Sequence, residues 1–194
     1  MAELTPLAIS VLALLEERSM HAYEMYQLLI TRHNDRLLKV HPGSLYHTVE
    51  RLAGQKYVRA IGTERAGNRP ERTTYEITPD GTEALKSRVE TAIEEYVYEY
   101  PLFPVVLSEA HNLDADDAVL RFRRRVADLE LQLTEIDDAL AGAAARGVPE
   151  PYWMAGGYVR GQLAAERDWL TTTIERIESK DLEWQPRKTP STTV

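Results

Sequence analysis

Between Pro42 and Gly81 the chain alternates breakers and periodic runs in an order that few small folds satisfy. Pro42-Gly43 opens a short helix, Gly67-Asn68-Arg69-Pro70 interrupts two strand-like runs, and Thr78-Pro79 starts another helix. Leu45, Val49 and Leu52 repeat at helical spacing with Ser44 as the cap, which leaves Ser44, His47, Thr48 and Arg51 expected to face outward. Tyr57 and Val58 then close a small core. Thr73, Tyr75 and Ile77 share one face of a strand, and the loop from Thr63 to Arg72 carries Arg65, Arg69 and Arg72 around a Gly-Asn turn. This order predicts a recognition helix followed by a β-wing, a surface suited to a DNA groove and its phosphates.

The net charge of −8 argues against nucleic acid until its distribution is resolved. Residues 1–78 hold 10 Lys and Arg against 9 Asp and Glu, and residues 79–194 hold 13 against 22. The acidity belongs to the second half, which need not touch DNA and would help to hold that half off the phosphates.

Upstream, Thr5 caps a predicted helix with Pro6 at its first position, and Leu4, Ala8, Val11, Leu12 and Leu15 form its apolar stripe. A second helix is expected from about His21 to His33. The helix begun at Thr78-Pro79 is expected to run to about Tyr100, stopped by Pro101 and Pro104. Past a short apolar piece, Val105 to Leu113, Asp114 caps a long helix on which Val119, Phe122, Val126, Leu129, Leu133, Ile136 and Leu140 recur at alternating intervals of 3 and 4. A Gly147-Val148-Pro149 turn leads to a last helix from about Tyr152 to Glu178. A strict 3-4 seam is narrow and two helices make a thin core, so the seven seam residues are expected to bury against a second subunit; packing on the last helix of the same chain is the alternative. The run Arg121, Arg123, Arg124 and Arg125 lies on the seam helix and reads as a solvated face with local ion pairs.

The expected fold is therefore mainly α with a small β-wing. Residues 1–81 form a winged helix-turn-helix, 82–113 a linking helix and connector, 114–180 an antiparallel helical domain for dimerisation and effector binding, and 181–194 a loose tail. The DNA-facing set is Lys39, Ser44, Tyr46, His47, Thr48 and Arg51 on or before the helix, with Arg65, Asn68, Arg69 and Arg72 in the wing. Glu50 would be repelled by phosphates unless it pairs with Arg51 or a wing arginine.

At Gly43-Ser44-Leu45-Tyr46, Arg51-Leu52 and Gly67 with Arg69-Pro70, and upstream at Leu4-Thr5-Pro6-Leu7 and Tyr23-Glu24, the chain resembles the PadR family of bacterial transcriptional regulators. His47 stands where many relatives have Pro, Ala53 where an acidic residue is common, and Ala22 where Gly often precedes the Tyr. The resemblance implies a dimeric repressor on a pseudo-palindromic operator, relieved by a small effector, since some members sense phenolic acids or aromatic drugs. Tyr96, Tyr98, Trp153, Tyr158 and Trp169 are the rings expected to line such a pocket.

Other functions find little support. A winged helix also serves as a protein-interaction module without DNA, so fold alone does not decide. No HExxH, phosphate-cradling Gly-rich loop or Gly-x-Ser-x-Gly occurs, the five histidines have no metal spacing, and adjacent acidic pairs such as Glu94-Glu95 diverge on a helix. Neither an enzyme nor a cofactor or metal is expected. With no cysteine, no apolar run of membrane length and no signal-peptide start at Met1-Ala2-Glu3, a cytoplasmic protein that does not engage the membrane is expected.

Overall fold

A computed structural model describes residues 4–64 and 72–185 of the chain. The chain divides into two compact units, Met1–Tyr98 and Glu99–Val194. The wing tip, with Arg65, Asn68 and Arg69, lies outside the described residues.

In the first unit, α1 (Pro6–Glu17) begins as the sequence predicts: the Thr5 hydroxyl accepts the Ala8 N–H at 3.3 Å and Pro6 fills the first helical position. Then follow β1 (Met20–His21), α2 (Ala22–Thr31), α3 (Pro42–Gly54), β2 (Val58–Glu64), β3 (Arg72–Ile77) and α4 (Pro79–Glu94). The sheet is antiparallel in the order β1-β3-β2, with Val58 opposite Ile77, Met20 opposite Tyr75, and an irregularity between Ala60 and Gly62. Sequence periodicity could not show β1, because two residues are too short to alternate. Leu12 and Leu15 of α1, Met25 and Leu29 of α2, Leu45, Val49 and Leu52 of α3, and Val58 of β2 form one core, each side chain contributing about 1.5–3 kcal/mol on burial. Ala84 and Leu85 of α4 pack against it. Helix α4 ends at Glu94, short of the expected Tyr100, with Glu95 in extended conformation. Glu94 and Glu95 meet the negative end of the helix dipole, and Tyr96-Val97-Tyr98 favours extended backbone.

The end of α3 sets where the wing begins. Tyr57 N–H bonds to Leu52 O and Lys56 N–H to Ala53 O, both at 3.0 Å, while Lys56 sits in the left-handed region at φ 62. A side chain pays steric strain there that glycine does not. Lys56→Gly is expected to raise stability by about 0.5–1 kcal/mol in urea unfolding, with an unchanged denaturant slope.

The second unit holds α5 (Leu102–Ser108), α6 (Ala115–Ala145) and α7 (Met154–Glu178). Arg123–Glu178, Arg125–Glu166 and Asp137–Arg160 ion pairs advance along α6 as they retreat along α7, so the two are antiparallel. Two members of the arginine run thus pair across the hairpin rather than along their own helix. Phe122, Leu129, Leu133 and Ile136 of the seam are buried, as are Leu170, Ile174 and Ile177 of α7, while Val119, Val126 and Leu140 are half-buried. The seam is therefore largely covered within one chain by α7. Trp184, expected at the start of a loose tail, returns to this core: its ring stands edge-on to Phe122 with centroids 6.2 Å apart, and its indole N–H donates to Leu113 O at 2.8 Å. No helix among the described residues is long and apolar enough to cross a membrane.

Ion pairs also bear on acid stability. Arg32 hydrogen-bonds Glu17 and holds its carboxyl below the usual glutamate range, as Arg18 does for Glu24. A folded-state value lowered in this way gives stability that is present at neutral pH and lost as pH falls through it. Both pairs are solvent-screened, so the first unit is expected to lose less than about 1 kcal/mol per pair on acidification below the glutamate range, measured by urea midpoints across pH.

Candidate nucleic-acid interface

Helix α3 starts one turn earlier than a Ser44 cap implies. His41 is the residue before the helix, Pro42 opens it, and Ser44 sits at the third position, accepting the His41 N–H at 3.3 Å and donating to His41 O at 2.8 Å. The Ser44 hydroxyl is thus occupied by the helix start, although the residue is exposed.

The helix buries Leu45, Thr48, Val49 and Leu52 and exposes Gly43, Ser44, Tyr46, His47, Glu50 and Gly54. Two expected outward residues are therefore placed otherwise. Thr48 is only 7% exposed, and its hydroxyl donates to Ser44 O at 2.8 Å, so it lies in the core stripe. The spacing of Thr48 from Leu45 and Leu52, three and four residues, already carried that signal. Arg51 is half-buried, and its Nη2 donates to the Thr5 hydroxyl at 3.1 Å, bracing α3 against the cap of α1. Arg51→Ala is expected to lower stability by about 1 kcal/mol, and Arg51→Lys, which lacks the planar fork, should not restore it; urea titration of the three proteins measures this.

Of the expected contacts, Tyr46, at 47% exposure, and His47 occupy the open face of α3, and Lys39 is exposed in the segment before it. Glu50 shares that face and makes no hydrogen bond or ion pair among the described residues, so the expected pairing with Arg51 does not form. At the root of the wing, Arg72 Nη1 stands 3.2 Å from His21 Nε2, and His21 Nδ1 stands 3.2 Å from Glu24 Oε2. Arginine only donates, so Nε2 is the acceptor and Nδ1–H points to Glu24, which Arg18 also engages. The Arg72 guanidinium lies over the Tyr23 ring at 5.8 Å. Periodicity missed His21 because its role depends on β1 pairing with β3.

The rings of the expected effector pocket are divided between the two units. Tyr96 and Tyr98, in the first unit, meet edge to face at 6.5 Å. In the second unit, Trp153 is half-buried with its indole N–H donating to Val148 O at 3.0 Å, while Tyr158 and Trp169 are exposed and lie about 16 Å apart along α7. A groove of about 420 Å³ lies along α6 and α7, lined by Val126, Ile174 and Thr171 with Arg123, Glu130 and Glu178 at its polar edges. No His/Asp/Glu group among the described residues could hold a metal ion.

Residues 11–87 match the profile of the transcriptional regulator PadR-like family. Among solved structures, Bacillus subtilis PadR in complex with operator DNA superposes with a TM-score of 0.73 at 14% identity, covering 89% of this chain and 99% of that one. The complex of Bacillus subtilis PadR with p-coumaric acid gives 0.72 at 12% identity, covering 89% and 98%, and a PadR-like regulator from Bacillus cereus gives 0.66 at 14%, covering 90% and 99%. At such identities the likeness is one of fold, and it spans both units. No curated protein sequence matches the chain.

Proposed function

We infer, from the match of residues 11–87 to the PadR-like transcriptional regulator family, that this chain is a DNA-binding regulator whose α3 enters the major groove. The observation that carries this is the face of α3 itself: Gly43, Tyr46, His47 and Glu50 stand clear of the core, beside a wing rooted by Arg72. Tyr46 and His47 approach the base edges or the sugar-phosphate wall. Lys39, Arg72 and the wing residues Arg65, Asn68 and Arg69 supply backbone contacts, with Ser44, Thr48 and Arg51 holding the helix that presents them.

The regulator acts as a homodimer on a pseudo-palindromic operator, as a repressor relieved by a small aromatic effector, and it works in the cytoplasm. Dimerisation uses the surface that α6 and α7 leave open, including Leu131 at 67% exposure and the half-buried seam residues Val119, Val126 and Leu140. The related p-coumarate complex supports a phenolic acid as the first effector to test.

Fluorescence anisotropy on a duplex from upstream of its own gene, against a scrambled duplex and across a salt series, tests the reading. Selective binding that weakens steeply with salt and is released by p-coumarate is expected. Equal binding of both duplexes at every salt concentration would exclude an operator there. Sedimentation showing a monomer at micromolar concentration would exclude the dimer.

A further inference from the structure

Three side chains that could have read bases from α3 are engaged elsewhere: Ser44 in the helix start, Thr48 in the core and Arg51 on the α1 cap. The polar groups left on the open face are the Tyr46 hydroxyl, the His47 imidazole and the Glu50 carboxylate. Glu50 follows Tyr46 by four residues and His47 by three, so the three point from one side of the helix. Glu50 is exposed, and no hydrogen bond or ion pair engages its carboxylate among the described residues.

We propose that Glu50 is a specificity-determining residue that accepts a hydrogen bond from a cytosine amino group in the operator's major groove. It rests on the reading that α3 enters that groove. A carboxylate with no partner among the described residues, carried between two rows of phosphates, is repelled unless a donor meets it there, and DNA can supply one. The major groove offers two donors, the N4 amino group of cytosine and the N6 amino group of adenine. Beside adenine N6 stands N7, an acceptor that repels a carboxylate, whereas cytosine presents no acceptor on its own groove edge. Guanine and thymine present only acceptors there. Glu50 therefore selects cytosine both by the bond it makes and by the repulsion it meets at the other three bases.

Selection from a randomised duplex library, followed by anisotropy with each base pair substituted at each position, compares the wild type with Glu50→Ala and Glu50→Gln. Because Glu50 is exposed and unpaired among the described residues, both variants should keep the wild-type circular dichroism and melting point. In each half-site of the wild-type operator, one C·G pair is expected where any substitution weakens binding about tenfold. In Glu50→Ala that penalty should fall below about twofold while every other position keeps its own. Glu50→Gln, which can donate as well as accept, should tolerate adenine at that position. If the wild type selects an operator and Glu50→Ala selects the same bases everywhere, the proposal is overturned, and tighter binding of that variant to all duplexes would identify Glu50 as a repelled bystander. If the wild type selects no sequence at all, the underlying reading of α3 falls first, and the reader with it.

Discussion

Gly81→Ala is expected to cost the first unit about 3 kcal/mol or more, because the position has no room for a side chain. A Cβ there would lie 2.1 Å from Tyr57 O and 2.8 Å from Ile77 Cγ1. The first of these is backbone, and it cannot turn aside. It is also held in place: Tyr57 O accepts the Thr78 N–H at 3.0 Å, and the Thr78 hydroxyl donates to Lys56 O at 2.7 Å while accepting the Gly81 N–H at 3.1 Å. The start of α4 is thus pressed onto the turn that ends α3, and a methyl group must push the two apart. Urea unfolding followed by far-ultraviolet circular dichroism measures the loss, with Gly62→Ala as control, since a Cβ at Gly62 meets nothing within 4 Å. The control should stay within about 1 kcal/mol of the wild type. A comparably small loss for Gly81→Ala would show that the α4 start slides freely. DNA affinity should fall with stability, because the same turn fixes β2 and β3 beside α3.

Phe122→Ala should destabilise the second unit by about 3–5 kcal/mol, and by the same amount at low and high protein concentration. Phe122 is a seam residue that sequence alone assigns to a partner subunit. In the fold it is buried in the core that α6 forms with α7, with Trp184 edge-on to its ring. Removing the ring leaves a cavity inside one chain, whatever the oligomeric state. All three tryptophans, Trp153, Trp169 and Trp184, lie in the second unit, so intrinsic tryptophan fluorescence reports on that unit. Emission should shift to the red in the folded variant as Trp184 loses its cover, and the unfolding midpoint should drop. A variant as stable as the wild type when dilute, but weaker in self-association, would instead assign Phe122 to the subunit contact.

Much of this molecule is legible without coordinates because it is governed by local chemistry. Thr5-Pro6 and Thr78-Pro79 begin helices where a hydroxyl and a fixed φ predict them. Val58 and Ile77 bracket the wing strands, and α6 runs from Ala115 through the apolar repeat to the turn at Gly147, although the side chain of Asp114 before it makes no capping bond. The candidate interface was legible as an element, a short helix before a basic loop, and less so as a set of atoms. Tyr46, His47 and Lys39 stand exposed as expected, but Thr48 lies inside and Arg51 reaches back to Thr5, a partner 46 residues away. No helical wheel contains that contact. Glu50 looked like a liability because its expected partner, Arg51, is occupied only once α1 and α3 are packed together.

The sequence by itself determined where α1, α3 and α4 begin, that two long helices follow in the second half, and that the long seam must be covered. Each follows from caps, breakers and periodicity within a few residues, where the backbone's own hydrogen bonds and sterics dominate. Only the tertiary structure decided what covers the seam, that Trp184 returns to Phe122, that Met20–His21 pairs with β3, and which polar side chains remain free on α3. These depend on contacts between residues far apart in the chain. Such contacts form where burial and hydrogen bonding outweigh the entropy of closing long loops, and no local pattern records that balance.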